Sequence, residues 1–217
     1  MPNLAIIAAA IVLLAVLLFF ERKNAFLGRL VTKTSLSSLF VAAAFLQPWE
    51  AGGYFSFLAA GLVLCLVGDV CLALPGEKSF MAGLVSFLLG HVMYIVAFFL
   101  VTDVGLWAAG GSVVVFAASI GVFMWLRPHL GDMKIPVLVY VLVISVMLTA
   151  AWSVFMESGV GSDGRLLVLV GAVMFYLSDI TVAMDRFVKD RFSNKLVGLP
   201  LYFGGQFLLA FSAGYVS

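Results

Sequence analysis

The sequence predicts an all-α, polytopic membrane protein, and three observations predict it. Apolar and aromatic residues make up 64% of the 217 residues while only 11% are charged, against roughly 25% charged in soluble domains. Apolar runs of 17 to 23 residues recur from end to end, long enough as helices to cross a hydrocarbon core of about 30 Å. Lysine and arginine segregate between alternate connections in the way that sets membrane orientation. Together these predict one compact transmembrane domain over residues 1–217, with possible halves 1–104 and 105–217.

Eight spans are expected, over about 3–20, 32–48, 54–74, 80–102, 105–126, 135–156, 164–185 and 195–216. The first has no basic residue before it and is followed by Arg22, Lys23 and Arg29, so it reads as a retained span and not a cleaved signal. The second begins with Thr34, Ser35, Ser37 and Ser38 and is the least apolar at its start. Turn-forming residues separate the rest: Gln47 through Gly53, Pro75-Gly76-Glu77-Lys78, and Arg127-Pro128-His129 through Lys134. Cys65 and Cys71 are six positions apart on one helix, about 240° of rotation, so they are not expected to bridge.

Orientation follows from the basic residues. The odd-numbered connections hold Arg22, Lys23, Arg29, Lys33, Lys78, Arg127, Lys134, Arg186, Lys189, Arg191 and Lys195, and the even-numbered ones hold only Arg165. That places the odd connections in the cytoplasm and both termini on the other side. Asp185, Arg186, Lys189, Asp190 and Arg191 read as a solvated cytoplasmic loop. The net charge of +1 and the lack of a basic patch give no reason to expect a nucleic-acid partner.

An internal repeat is visible. Gly83-Leu84-Val85-Ser86-Phe87-Leu88-Leu89-Gly90-His91 aligns with Gly198-Leu199-Pro200-Leu201-Tyr202-Phe203-Gly204-Gly205-Gln206, and Gly68-Asp69 aligns with Ser178-Asp179. Four spans in each half give both halves the same orientation, a parallel 4+4 repeat.

A small polar set stands out against this background. Asp69 and Asp179 lie five and six residues from the cytoplasmic ends of two inward-running spans, and His91 and Gln206 lie near mid-membrane. An ionised aspartate inside a span costs about 2.5 to 3.5 kcal/mol on insertion scales, so two of them call for a use. Partnered helix glue is the alternative reading. For His91 a hydrogen bond between helices is as natural as chemistry. Tyr94, Tyr176 and Tyr202 read first as packing residues, and Gly83, Gly90, Gly198 and Gly205 as positions of close helix approach.

Two carboxylates at one site can divide labour, one protonated as acid and the other stabilising a cation. Cleavage of an acetal-like or enol-ether bond needs that division, because its intermediate is an oxocarbenium ion. No HExxH, three-histidine set, CxxC, GxSxG or GxxxxGK pattern is present, so no metal, cofactor or phosphate-loop chemistry is expected.

The residues that carry a family resemblance are Lys33, Gly68-Asp69 with Leu72 and Pro75, and the series Phe80, Gly83, Leu84, Phe87, Gly90, His91 and Tyr94. Gly171, Ala172, Phe175, Ser178, Asp179, Ala183, Phe187, Tyr202 and Gln206 continue it. In order and spacing these resemble the YhhN-type lysoplasmalogenase family of integral membrane proteins. Thr34 departs from the proline often found after the lysine, at the start of span two and away from the chemistry.

The resemblance implies an eight-span hydrolase of lysoplasmalogen. It would release a fatty aldehyde and glycerophosphoethanolamine or glycerophosphocholine without a cofactor. It implies Asp69 and Asp179 as the catalytic pair. His91, Tyr94, Tyr202 and Gln206 would position water or the glycerol hydroxyl, and Lys33 and Lys78 would meet the phosphate. The expected partners are a lysophospholipid substrate and membrane lipids. The expected location is a bacterial inner membrane, with the site toward the cytoplasmic leaflet. A small proton-coupled transporter, with its intramembrane acids and parallel repeats, and a non-catalytic lipid-binding protein are the alternatives.

Overall fold

The computed structural model describes residues 2–49, 52–102 and 111–216, and every regular element among them is helical. Eight α-helices follow in order: α1 (Pro2–Lys23), α2 (Phe26–Phe45), α3 (Gly53–Ala73), α4 (Glu77–Phe99), α5 (Gly111–Leu126), α6 (Lys134–Met156), α7 (Ser162–Ala183) and α8 (Phe192–Ser212). Two 3₁₀ turns, Arg127–His129 and Gly131–Met133, join α5 to α6, and a π-helical turn, Met184–Val188, extends α7. The first residues of the expected fifth span, and Glu50 and Ala51 of the expected second turn, lie outside the described residues.

Six helical segments are long and apolar enough to cross a membrane: Asn3–Lys23, Gly53–Ala73, Glu77–Phe99, Gly111–His129, Gly131–Met156 and Ser162–Val188. The chain is an integral membrane protein. The burial pattern fits a lipid solvent, since large apolar side chains such as Leu4, Val113 and Ile135 face outward, while Ser37, Asp69, His91, Ser145, Thr149 and Gln206 are buried. The two remaining helices, α2 and α8, carry more polar residues: Thr32 and Ser37 are buried and Ser35 and Ser38 exposed in α2, and Tyr202, Gln206 and Ser212 are buried in α8.

Helix α2 starts earlier than its apolar run suggests, at Phe26 and not near residue 32. Its first turns carry Arg29 and Lys33, and the helix continues through them because neither side chain interrupts the backbone ladder. The α3–α4 connection is the tight turn expected at Pro75-Gly76, and Gly76 has φ 104°, a backbone state that favours glycine.

The most extensive packing joins α3 to α4 and α7 to α8. In the first pair, a Cβ on Gly61 would lie 3.1 Å from the Gly90 carbonyl oxygen and one on Gly90 3.3 Å from that of Gly61. In the second pair, a Cβ on Gly171 would lie 3.0 Å from the Gly205 carbonyl oxygen and one on Gly205 2.8 Å from that of Gly171. Both pairs therefore cross backbone to backbone at facing glycines, an approach that larger residues would prevent. Around them α2 packs on α3 and α8, and α6 packs on α7 and α4. Rings of Phe40, Phe87, Phe175, Tyr202 and Phe203 fill the centre, with Phe175 and Tyr202 centroids 5.3 Å apart.

Candidate active site

A cavity of about 510 Å³ runs inward from the end of the bundle that carries the α3–α4 and α7–α8 connections. Asp69, Asp179, Lys33, Tyr202, Tyr140 and Tyr176 line it. Helices α3 and α7 bring the two aspartates to it from separate halves of the chain.

The two carboxylates keep different company. Asp69 is 1% exposed. Its Oδ2 accepts hydrogen bonds from Ser37 Oγ at 2.5 Å and Tyr202 OH at 2.6 Å. Lys33 Nζ lies 3.1 Å from Oδ1, off that oxygen's hydrogen-bonding direction, so the contact is an ion pair held by charge. The two hydroxyl donors and the ammonium beside this buried carboxylate all favour its ionised form.

Among the described residues, Asp179 has no lysine or arginine partner. Its Oδ2 accepts from Tyr140 OH at 2.7 Å and lies 3.7 Å from His91 Nε2. The side chain is 17% exposed, toward the cavity. The other ring nitrogen of His91, Nδ1, lies 2.7 Å from the Phe87 carbonyl oxygen. A carbonyl can only accept, so Nδ1 carries a proton and Nε2 of the neutral ring presents a lone pair. Nε2 is buried and has no hydrogen-bond partner among the described residues. An ionised Asp179 would then face a second acceptor 3.7 Å away, and protonation of its carboxyl removes that conflict. The imidazole is outside the cavity lining and packs on Phe175, 4.5 Å away between centroids, and on Tyr140 at 5.3 Å.

Not all the residues singled out from sequence converge here. Asp69, Asp179, Lys33 and Tyr202 do. His91 touches the site from behind Asp179. Tyr94 and Gln206 bond each other at 2.7 Å between α4 and α8, fully buried and away from the cavity lining. Lys78 is also outside the lining. Five further contributors carry no functional expectation from the sequence: Ser37 lies in a serine-rich helix start, Tyr140 in an apolar run, and Asp185, Arg186 and Asp190 in a stretch that reads as a solvated loop. The last three line the cavity mouth together with Arg29, Glu21 and Lys195. Lys195 pairs with Asp190 at 2.9 Å and Asp185 at 3.6 Å, and its ammonium holds the exposed Asp190 carboxyl below the usual carboxylate range.

A helical membrane protein with two differently partnered carboxylates in one cavity open at a membrane face defines the class. The sequence model of the YhhN family matches residues 28–213, and the chain belongs to that family. It is similar to a lysoplasmalogenase of Mycobacterium bovis, 31% identical over 176 residues, 78% of this chain and 63% of that protein. It is similar to lysoplasmalogenase TMEM86B of Sus scrofa, 31% identical over 196 residues, 88% of this chain and 77% of that protein. TMEM86B of Homo sapiens is 30% identical over 171 residues, 75% of this chain and 66% of that protein. The chain spans less than two thirds of the mycobacterial relative's length, at 63%. No solved structure matches it.

Proposed function

We propose that this protein is a membrane-embedded lysoplasmalogenase, hydrolysing the vinyl ether of a lysoplasmalogen to a fatty aldehyde and a glycerophospho-alcohol. The observation that carries the reading is the unequal pair: one carboxylate 3.1 Å from the Lys33 ammonium, and a second that lies 3.7 Å from His91 Nε2 with no lysine or arginine partner among the described residues, in one cavity. Membership of the YhhN family and the names of its relatives support the substrate class.

In this reading Asp179 is the acid and Asp69 the anion. Asp179 gives its proton to the vinyl carbon remote from oxygen. The pair of electrons that held the double bond forms the new C–H bond, and the carbon next to oxygen becomes an oxocarbenium centre. The Asp69 carboxylate stabilises that cation. Water adds to it and returns a proton to Asp179. The hemiacetal hydroxyl then gives up its proton, the bond to the glycerol oxygen breaks, and that oxygen takes a proton as the aldehyde leaves. Tyr202 and Ser37 hold Asp69 in place, and Tyr140 and His91 hold Asp179. Tyr94 and Gln206 act at one remove, fixing α4 against α8. Lys33 serves Asp69 more than the phosphate, and Lys78 meets head groups at the membrane surface.

The cavity end carries most of the basic residues, which supports a site open to the cytoplasmic leaflet of a bacterial inner membrane, with both termini opposite. Eight crossings are supported by length: α2 has 20 residues and α8 has 21, about 30 Å each. A single domain with a parallel 4+4 repeat is supported by the two matched glycine crossings. It is further supported by Phe87 and Tyr202, aligned residues whose rings lie 5.8 Å apart, as equivalent residues on a pseudo-axis do.

Asp69→Asn and Asp179→Asn, each inserted and folded, are expected to lower aldehyde release from lysoplasmenylethanolamine in detergent by about 10² or more. Full activity in either variant would end the two-carboxylate mechanism. A transporter would show uptake in vesicles and no aldehyde.

A further inference from the structure

The cavity mouth holds two guanidinium groups that make no side-chain hydrogen bond among the described residues. Arg29, on α2, has Nη1 3.6 Å from Glu21 Oε2, too long for a hydrogen bond, and its buried Nε has no partner. Arg186, on the π-helical turn after α7, lies with its Cζ 4.3 Å from the Phe80 ring centroid. Among the described residues it makes no ion pair and no side-chain hydrogen bond. Arg29, Arg186 and Phe80 all line the cavity. The neighbouring Lys195 differs, since Asp185 and Asp190 already hold it.

Spacing connects these groups to the carboxylates. Arg29 precedes Lys33 by four residues on α2, about 6 Å of helix rise, and the Lys33 ammonium marks the position of Asp69. In a lysolipid, five bonds of about 1.5 Å separate the ether oxygen from phosphorus, roughly 6 Å end to end. Arg186 follows Asp179 by seven residues, about 10 Å of rise, and its guanidinium lies over Phe80, which lines the same cavity as Asp179. A planar guanidinium with free donors is the side chain best matched to phosphate oxygens. Stacking on Phe80 fixes its plane without spending those donors.

We propose that Arg29 and Arg186 form a phosphate subsite at the cavity mouth, which takes the phosphodiester of a lysolipid while its ether lies between Asp69 and Asp179. The assignment rests on the lysolipid hydrolase reading. It adds that substrate is measured from the phosphate, so that the first chain carbons reach the acid.

Binding of saturated ether ligands tests this independently of turnover, because neither ligand has a vinyl ether to cleave. The probes are 1-O-alkyl-glycero-3-phosphocholine and 1-O-alkylglycerol of equal chain length, titrated into the full-length protein in neutral detergent. The wild type is expected to bind the phosphate-bearing ligand about tenfold or more tightly than the other. Arg29→Gln and Arg186→Gln should each cut that preference several-fold, the double variant should abolish it, and Arg186→Lys should keep part of it. Inorganic phosphate should compete with the phosphate-bearing ligand and not with the alkylglycerol, which marks a built site as against general attraction to head groups. Equal affinity for both ligands in the wild type overturns the proposal. So does an unchanged preference in the double variant, or competition by chloride equal to that by phosphate at matched ionic strength. Loss of both ligands to the same degree in Arg186→Gln and Arg186→Lys makes Arg186 a structural residue and overturns it as well. A wild type that releases no aldehyde yet shows the preference would sink the hydrolase reading and leave the phosphate subsite standing.

Discussion

At the scale of single residues, Lys33 and Asp69 are worth most to each other. Asp69 is buried, and Lys33 is the cation in contact with it. Removing one partner of a buried pair strands the other and costs about 3 to 5 kcal/mol, whereas removing both is often close to neutral. Lys33→Met is therefore expected to lower the unfolding midpoint in detergent, and Lys33→Met with Asp69→Asn should recover much of the loss. If the double variant is as unstable as the two single losses added together, the ion pair is not what holds this corner. Asp179 offers a contrast, since it has no lysine or arginine partner among the described residues and remains partly open to the cavity. Asp179→Asn should change stability little while lowering turnover about 10²-fold or more. The hydroxyls differ from the charges in kind. Tyr202→Phe removes one donor to a carboxylate, worth about 1.5 to 3 kcal/mol. It is expected to lower kcat by one to two orders of magnitude with KM less affected, measured as aldehyde release.

At the scale of elements, the site depends on how closely α3 meets α4 and α7 meets α8. Both crossings use facing glycines, and they are not equally tight. A Cβ on Gly205 would meet the Gly171 carbonyl oxygen at 2.8 Å and the Phe175 nitrogen at 3.1 Å, both backbone atoms. A Cβ on Gly90 would meet Cys65 Sγ at 3.0 Å and the Gly61 carbonyl oxygen at 3.3 Å, and a side-chain sulfur can move. Overpacking costs about 1 to 3 kcal/mol. Gly205→Ala should fall at the upper end and Gly90→Ala at the lower, read as the shift of the thermal midpoint. The reverse order would show that α3 and α4 form the more rigid pair. Pushing α7 from α8 would also separate Asp179 from the Asp69–Tyr202 contact, so Gly205→Ala should lose activity beyond its loss of stability.

At the scale of the molecule, the number of crossings sets which connections share a membrane face. If α2 and α8 cross, single cysteines replacing Lys23 and Lys189 will be reached by an impermeant thiol reagent from one side, and those replacing Trp49 and Tyr215 from the other. Labelling of the Lys23 and Trp49 positions from the same side would mean that α2 does not cross. Native Cys65 and Cys71 are both free and are replaced first.

The sequence by itself determined the helical class, the membrane as solvent and the approximate extents of most helices. Each follows from the length and periodicity of apolar runs, which are local properties. It also singled out Asp69, Asp179, Lys33, Tyr202 and His91, because charge and polarity inside apolar runs are conspicuous. Tyr140 and Ser37 were not conspicuous, since a hydroxyl in a span is common and acquires a role only from the carboxylate opposite. Arg29 and Arg186 looked like topology signals, because a basic residue at a helix end serves that purpose wherever it points. Only the tertiary structure decided that Lys33 belongs to Asp69 and His91 to Asp179, and that Tyr94 and Gln206 answer each other elsewhere. The physical reason is that a buried group's chemistry is set by the few atoms within about 4 Å of it, and those atoms come from helices far apart in the chain.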